Sequence, residues 1–190
     1  MFFRLRMSVV LRRVLVCYNA EMNSQQLLNP LDHIASLLLA QEATLVVAES
    51  CTAGWIAKTI TDQAGSSAWF EGGFVSYSNR AKESMLAVPA ALLQRSGAVS
   101  ESCAEAMAEG ALLHSKADFS LAVTGIAGPG GGCVEKPVGL VCFAWSGRGM
   151  TTLTESKRFF GNRDMVRQQT VQHALTRFLI LLTEAAGSRV

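Results

Sequence analysis

In the stretch VVAESCTAG, residues 46 to 54, an apolar run breaks into Glu49, Ser50, Cys51 and Thr52 before Gly54. A serine between a buried strand and a helix admits two readings. Its hydroxyl can cap the helix, as serine commonly does at an N-terminus. It can also attack a carbonyl carbon while nearby backbone N–H groups and the positive end of the helix steady the oxyanion. Attack needs a base. His33, His114 and His173 all fall on helical segments and none at a strand end, which argues against a Ser-His-Asp triad. Lys82 offers another base, one turn into a helix that begins beside Tyr77. Desolvation can bring a lysine down from about 10.4 toward neutrality, and a tyrosine hydroxyl can join the proton transfer. Taken alone, Lys82 reads first as a solvated surface residue, and Lys58 is a weaker candidate of the same kind.

Two further strand ends carry polar groups: Ser76, Tyr77 and Ser78 after one, and Thr124 before a loop with five glycines between Gly125 and Gly132 after another. The loop TGIAGPGGG lacks the GK[ST] of a phosphate loop and opens no helix, so the nucleotide-fold motifs give it little support. It is either a turn or a nest of backbone N–H groups that receives a phosphate or carbonyl oxygen. Arg163 and Arg167, near the start of the last helix, are either phosphate contacts or part of a solvated face.

The elements that must position these groups follow from periodicity. Residues 30–41 predict an amphipathic helix on Leu31, Ile34, Leu37, Leu38 and Leu39. TLVVA, 44–48, is a continuous apolar strand of the kind buried on both faces. AGWIAKTITDQAG predicts a helix closed by Gly65 in the left-handed conformation. A strand at 73–78, a helix from Asn79 capped by Asn79 itself, and a helical turn from Pro89 to Leu93 come next. The helix over VSESCAEAMAEGALLHSK is capped by Ser100 or Ser102 and buries Cys103, Met107, Ala111 and Leu112. Strands at 119–125, 138–145 and 151–160 follow, the last nearer an edge. A long helix closes the chain with Met165, Val171, Leu175, Phe178, Leu179 and Leu182 on its apolar stripe. Alternating strands and helices predict a three-layer α/β/α sandwich with a largely parallel or mixed central sheet. Ligands of such sheets lie beyond the carboxyl ends of strands, so the Ser50, Ser76 and Thr124 ends are expected to share one cavity.

Composition bounds the alternatives. With 190 residues, one domain is expected. Apolar residues make up 49% and charged residues 17%, a charge-poor surface that fits a homo-oligomer. The net charge of +2 is uneven: Arg4, Arg6, Arg12 and Arg13 against Glu21 give +3 in residues 1–21 and leave −1 beyond, so no nucleic-acid partner is expected. Arg12 and Arg13 interrupt the apolar start before a membrane span is reached, so no stable membrane insertion is expected. Residues 1–21 read as a poorly ordered extension or a region ahead of a start at Met22, with 22–190 as the domain. Five cysteines, with no CxxC and no secretion signal, fit reduced thiols in the cytoplasm. No metal or cofactor is expected, because Asp and His do not cluster.

Together, AESCTAG, AGSSAWFEGGFVSYSNRAK, GAVSE, ADFSLAVTGIAGPGGG, EKPVG and RDMVRQQ closely resemble the C-terminal domain family of the competence/damage-inducible protein CinA, whose stand-alone relatives act as nicotinamide-nucleotide amidases. The resemblance runs from about residue 29 to the end and looks like the stand-alone form; residues 1–21 match nothing in it. It implies hydrolysis of the carboxamide of nicotinamide mononucleotide, a small nucleotide substrate, to nicotinate mononucleotide and ammonia in pyridine-nucleotide recycling. By that resemblance Ser50 is the nucleophile, Tyr77 and Lys82 activate it, and Thr52, Thr124, Gly125, Gly128, Gly130 and Arg163 contact the substrate. Ala53 departs from the family pattern, which usually has a second glycine there, and its methyl group is expected to crowd the substrate. Two alternatives stay open: a non-catalytic nucleotide-binding relative, and an amidase for another small amide.

Overall fold

The computed structural model describes residues 30–148 and 150–187, with side chains through residue 184. The basic extension, Met22 and Cys17 lie outside the described residues. The elements in chain order are α1 (Pro30–Ala40), β1 (Leu45–Glu49), α2 (Trp55–Thr61), a 3-10 turn (Ser66–Ala68), β2 (Phe70–Val75), α3 (Asn79–Leu86), α4 (Ala90–Ser96), α5 (Glu101–Leu113), β3 (Phe119–Gly125), β4 (Leu140–Gly147), β5 (Leu153–Arg158) and α6 (Arg163–Gly187). They form one five-stranded sheet in the order β2-β1-β3-β4-β5. β2, β1 and β3 run parallel, whereas β4 and β5 are antiparallel, so the sheet is mixed.

Every residue of β1 is buried because each face of the sheet carries a layer of helices. Leu45 and Val47 point into a core built with Ile34 and Leu38 of α1, Ile56 and Ile60 of α2, and Leu175 and Phe178 of α6. Their neighbours Val46 and Ala48 point the other way, onto Leu86 of α3, Leu93 of α4, and Cys103 and Met107 of α5. Burial of each large aliphatic side chain contributes roughly 1.5–3 kcal/mol. The α/β/α sandwich therefore follows from a strand apolar on both sides. β5 lies at an edge and carries Lys157 and Arg158, charges that discourage pairing with another sheet.

Two close approaches set the site-bearing helices. A Cβ on Gly110 would stand 1.9 Å from the Leu86 carbonyl oxygen, so glycine lets the end of α3 rest on α5. A Cβ on Gly73 would stand 2.9 Å from Val47 and 3.4 Å from the Ala57 side chain. That contact explains why β2 covers 70–75 rather than 73–78: its glycines sit inside the strand, and residues 76–78 turn to start α3. Other local expectations also shift. α2 ends at Thr61, and left-handed Gly65 opens the 3-10 turn instead of closing the helix. Ser78, not Asn79, caps α3, accepting from Ala81 N at 3.1 Å. Ser100 rather than Ser102 caps α5. Met165 and Leu39 are about half exposed, because broad stripes on α6 and α1 extend past the faces the sheet covers. No helix among the described residues is long and apolar enough to cross a membrane.

Candidate active site

With β1, β2 and β3 parallel, their carboxyl ends at Glu49, Val75 and Gly125 emerge along one edge of the sheet. Residue 50 begins a tight turn that reverses into α2. Ser50 does not cap that helix, which starts at Trp55 with Gly54 as its N-cap. Glu49 does the work instead. Fully buried, its carboxylate accepts from Gly54 N at 3.0 Å, Ile56 N at 3.1 Å and Ala57 N at 2.8 Å. These satisfy the orphan donors of the first helical turn. The positive end of α2 is therefore aimed at Glu49, which corrects the expectation that the helix field stabilises an oxyanion at Ser50. Ser50 N is held by Val123 O at 3.0 Å, fixing the serine to the end of β3.

Lys82 arrives on the first turn of α3, which the Ser78 cap starts immediately after β2. Only 1% of its surface is exposed. Nζ donates to Ser50 Oγ at 2.8 Å and to Ser76 O at 2.8 Å, with Tyr77 O at 3.5 Å. None of the ion pairs among the described residues includes Lys82. Burial accordingly lowers its pKa from the ordinary 10.5, and the nearby thiols of Cys103 and Cys51 offset this only in part. Cys51 goes the other way: burial, with Glu49 adding to it, pushes its thiol up to about 12 against the pull of its own backbone amide, Lys82 and Arg167. Beside Ser50 it is a neutral spacer and not a second nucleophile.

A cavity of about 170 Å³ is lined by Ser50, Lys82, Tyr77, Thr124, Gly125 and Arg163, together with Cys51, Ala98, Val99 and Ala127. Six of the residues singled out in the sequence thus meet in one place. Thr124 is buried and its hydroxyl donates to Ala98 O at 2.8 Å, tying the α4–α5 connection to the end of β3. Tyr77 is 61% exposed at the rim, where its phenol oxygen accepts from Arg163 Nη2 at 3.3 Å; its main chain, not its phenol, meets Lys82. Arg163 also donates through Nη1 to Gly128 O at 2.9 Å. Thr52, Gly128 and Gly130 do not line this cavity: Thr52 is buried within the turn, Gly128 lies behind Arg163, and Gly130 is exposed farther along the loop. Lys58 is exposed and paired with Asp62.

Ala53 does not crowd the cavity. It is exposed and lines a separate open cleft of about 510 Å³ with Gly54, Trp55, Lys58 and Arg167. What the alanine changes is backbone energy: its φ is 53°, in the left-handed region that glycine enters freely and alanine does not. Glu49 was the functional group the sequence reading passed over. A charge closing an unbroken apolar strand was its signal, since buried carboxylates need donors. Ala98 and Val99 carried no signal at all.

Among the described residues no group of three or more His, Cys, Asp or Glu could hold a metal. The chemistry this arrangement can support is attack by a serine oxygen on an electrophile in a small pocket, with a buried amine at hydrogen-bond distance as base.

Comparison with known proteins gives a consistent picture. The model of the CinA C-terminal domain matches residues 28–182. Nicotinamide-nucleotide amidohydrolase PncC of Escherichia coli (strain K12) is 48% identical over 154 residues, which are 81% of this chain and 93% of that protein. A structure titled competence damage-inducible protein A from Klebsiella pneumoniae subsp. pneumoniae MGH 78578 superposes with a TM-score of 0.78 at 38% identity, covering 81% of this chain and 95% of that one. The competence/damage inducible protein CihA from Agrobacterium tumefaciens gives a TM-score of 0.75 at 44% identity, with 82% and 96% covered.

Proposed function

The chain belongs to the CinA C-terminal domain family, and from that premise we propose that it hydrolyses the carboxamide of nicotinamide mononucleotide to nicotinate mononucleotide and ammonia. The observation that carries the reading is the buried Lys82 amine 2.8 Å from the Ser50 hydroxyl, with no carboxylate ion-paired to it among the described residues. When Lys82 is neutral, its two hydrogens are directed to Ser76 O and Tyr77 O, and its lone pair is left to accept from Ser50. Ser50 Oγ then bonds to the amide carbon as its proton passes to Nζ. The tetrahedral centre collapses with cleavage of the C–N bond, and Nζ returns the proton to the departing ammonia. Water, deprotonated by the same amine, cleaves the ester on Ser50.

The cavity is smaller than the roughly 300–1,000 Å³ typical of sites that engulf a drug-sized ligand. It suits the pyridine carboxamide, with the ribose phosphate beyond the rim. There Arg163 is the cation placed to meet a phosphate and Tyr77 flanks it. Thr124 and Gly125 form the floor at the end of β3. All four described cysteines are free thiols, which supports a reducing compartment such as the cytoplasm. The 49% apolar composition supports a homo-oligomer. Ammonia release measured on nicotinamide mononucleotide, its riboside and free nicotinamide tests the substrate assignment. Turnover falling in that order supports it, whereas equal turnover of free nicotinamide and the mononucleotide contradicts it.

A further inference from the structure

The turn that carries Ser50 is held by opposite charges on its two kinds of backbone group. Glu49 collects its N–H groups, as described above. Its carbonyls are taken by Arg167, which reaches across from α6: Nε donates to Cys51 O at 3.1 Å and Nη2 to Thr52 O at 2.7 Å. The guanidinium also lies over the Trp55 ring, with Cζ 5.0 Å from its centroid, so the first residue of α2 fixes the plane of the fork. Arg167 is half-buried and does not line the Ser50 cavity; it lines the cleft behind the turn. Two of the guanidinium's three nitrogens are already engaged by the turn, which leaves one free for any other partner.

We infer that Arg167 is a positioning residue for the Ser50 nucleophile, acting through the main chain of residues 51 and 52. This rests on the serine amidase reading. The turn's N–H groups are nearly all engaged: Ser50 N with Val123 O, Ala53 N with Ser50 O, Trp55 N with Thr52 O, and those of Gly54, Ile56 and Ala57 with Glu49. Among the described residues, the Thr52 N–H has no partner in the turn, whereas the Cys51 N–H lies against its own thiol. The peptide unit that ends in Thr52 N–H is the one whose carbonyl belongs to Cys51. A charge-assisted bond to that oxygen fixes the plane of the unit and polarises its N–H, since bonded groups strengthen one another in a low-dielectric site. Arg167 thereby orients a donor that it never touches. Lysine cannot reproduce this, because a single ammonium lacks the planar fork that spans two successive carbonyls and stacks on an indole.

The test compares wild type with Arg167→Lys, Arg167→Met and Arg167→Ala. Two readouts are used: ammonia release from nicotinamide mononucleotide and its riboside, and the rate at which a fluorophosphonate labels Ser50. Loss of a positioned turn lowers kcat about 10- to 100-fold, as misplacement near 1 Å does, with KM within about threefold. Labelling falls in parallel, the preference for the phosphorylated substrate is unchanged, and added guanidinium ion partly restores Arg167→Ala. A rise in KM with kcat maintained and the preference for phosphate lost would overturn the inference in favour of a phosphate contact. Undiminished labelling and kcat in all three variants would also overturn it. If the wild type labels at Ser50 but releases no ammonia from this substrate, the substrate assignment fails and the labelling rates still decide the role of Arg167. If wild-type Ser50 neither labels nor turns over, both readings fall.

Discussion

Replacing Lys82 with methionine separates what the buried amine does for catalysis from what it does to stability. Methionine nearly matches the lysine stem in volume, so the substitution leaves no large cavity. It removes the amine that, among the described residues, is within hydrogen-bond distance of the Ser50 hydroxyl. Loss of a general base lowers kcat by about 10²–10⁴-fold, or roughly 3–5 kcal/mol of barrier. The stability effect has a definite sign. Burial depresses the folded pKa of Lys82 below the ordinary 10.5 of the unfolded chain, so between these two values the unfolded state holds a proton that the folded state lacks. Wild-type stability attributable to this group is therefore complete above 10.5, and it is lost as pH falls toward the folded value. Through that window the slope approaches about 1.4 kcal/mol per pH unit. Urea unfolding of both proteins from about pH 6.5 to about pH 9.5, read as wild type minus Lys82→Met, cancels the titrating groups that do not interact with Lys82. The difference should rise with pH, and wild-type kcat/KM should rise through the folded pKa of Lys82 and then level off, while the variant loses that dependence. A flat difference would show that Lys82 folds as an ammonium, and would refute the neutral base.

Two further substitutions probe the turn. Glu49→Gln keeps the shape but replaces one of the two acceptor oxygens with a donor facing backbone N–H groups, so unfolding free energy should fall by about 2–3 kcal/mol. A lowered urea midpoint at unchanged slope would show it, and an unchanged midpoint would mean that water satisfies those donors. Ala53→Gly relieves a left-handed alanine at a cost of about 1–2 kcal/mol, partly offset by the extra freedom of unfolded glycine. A melting point higher by about 2 °C with kcat/KM unchanged is expected, whereas a gain in kcat/KM would show that the methyl group obstructs the site after all.

The layered fold was legible because β1 is apolar at every position and the helices around it have clear stripes. Where stripes were broad, as on α1 and α6, the sequence could not say which edge the sheet leaves uncovered; Leu39 and Met165 fell outside it. β2 was misplaced by its glycines, which resemble a boundary but serve a close approach to Val47 that only the tertiary structure reveals. Ser50, Lys82, Tyr77 and Thr124 could be grouped because parallel strands bring their ends to one edge. Their hydrogen bonds could not be read in advance. Glu49 and Arg167 hold the turn from positions more than a hundred residues apart in the chain, so no local pattern links them.

The most direct test of Ser50 as the nucleophile is peptide mass mapping of enzyme quenched in acid during turnover of nicotinamide mononucleotide, with Ser50→Ala assayed for ammonia alongside. An ester of nicotinate mononucleotide on the peptide carrying Ser50 is expected, with no ammonia from the variant. An unmodified Ser50 peptide, together with a Ser50→Ala enzyme that releases ammonia as fast as wild type, would contradict that role.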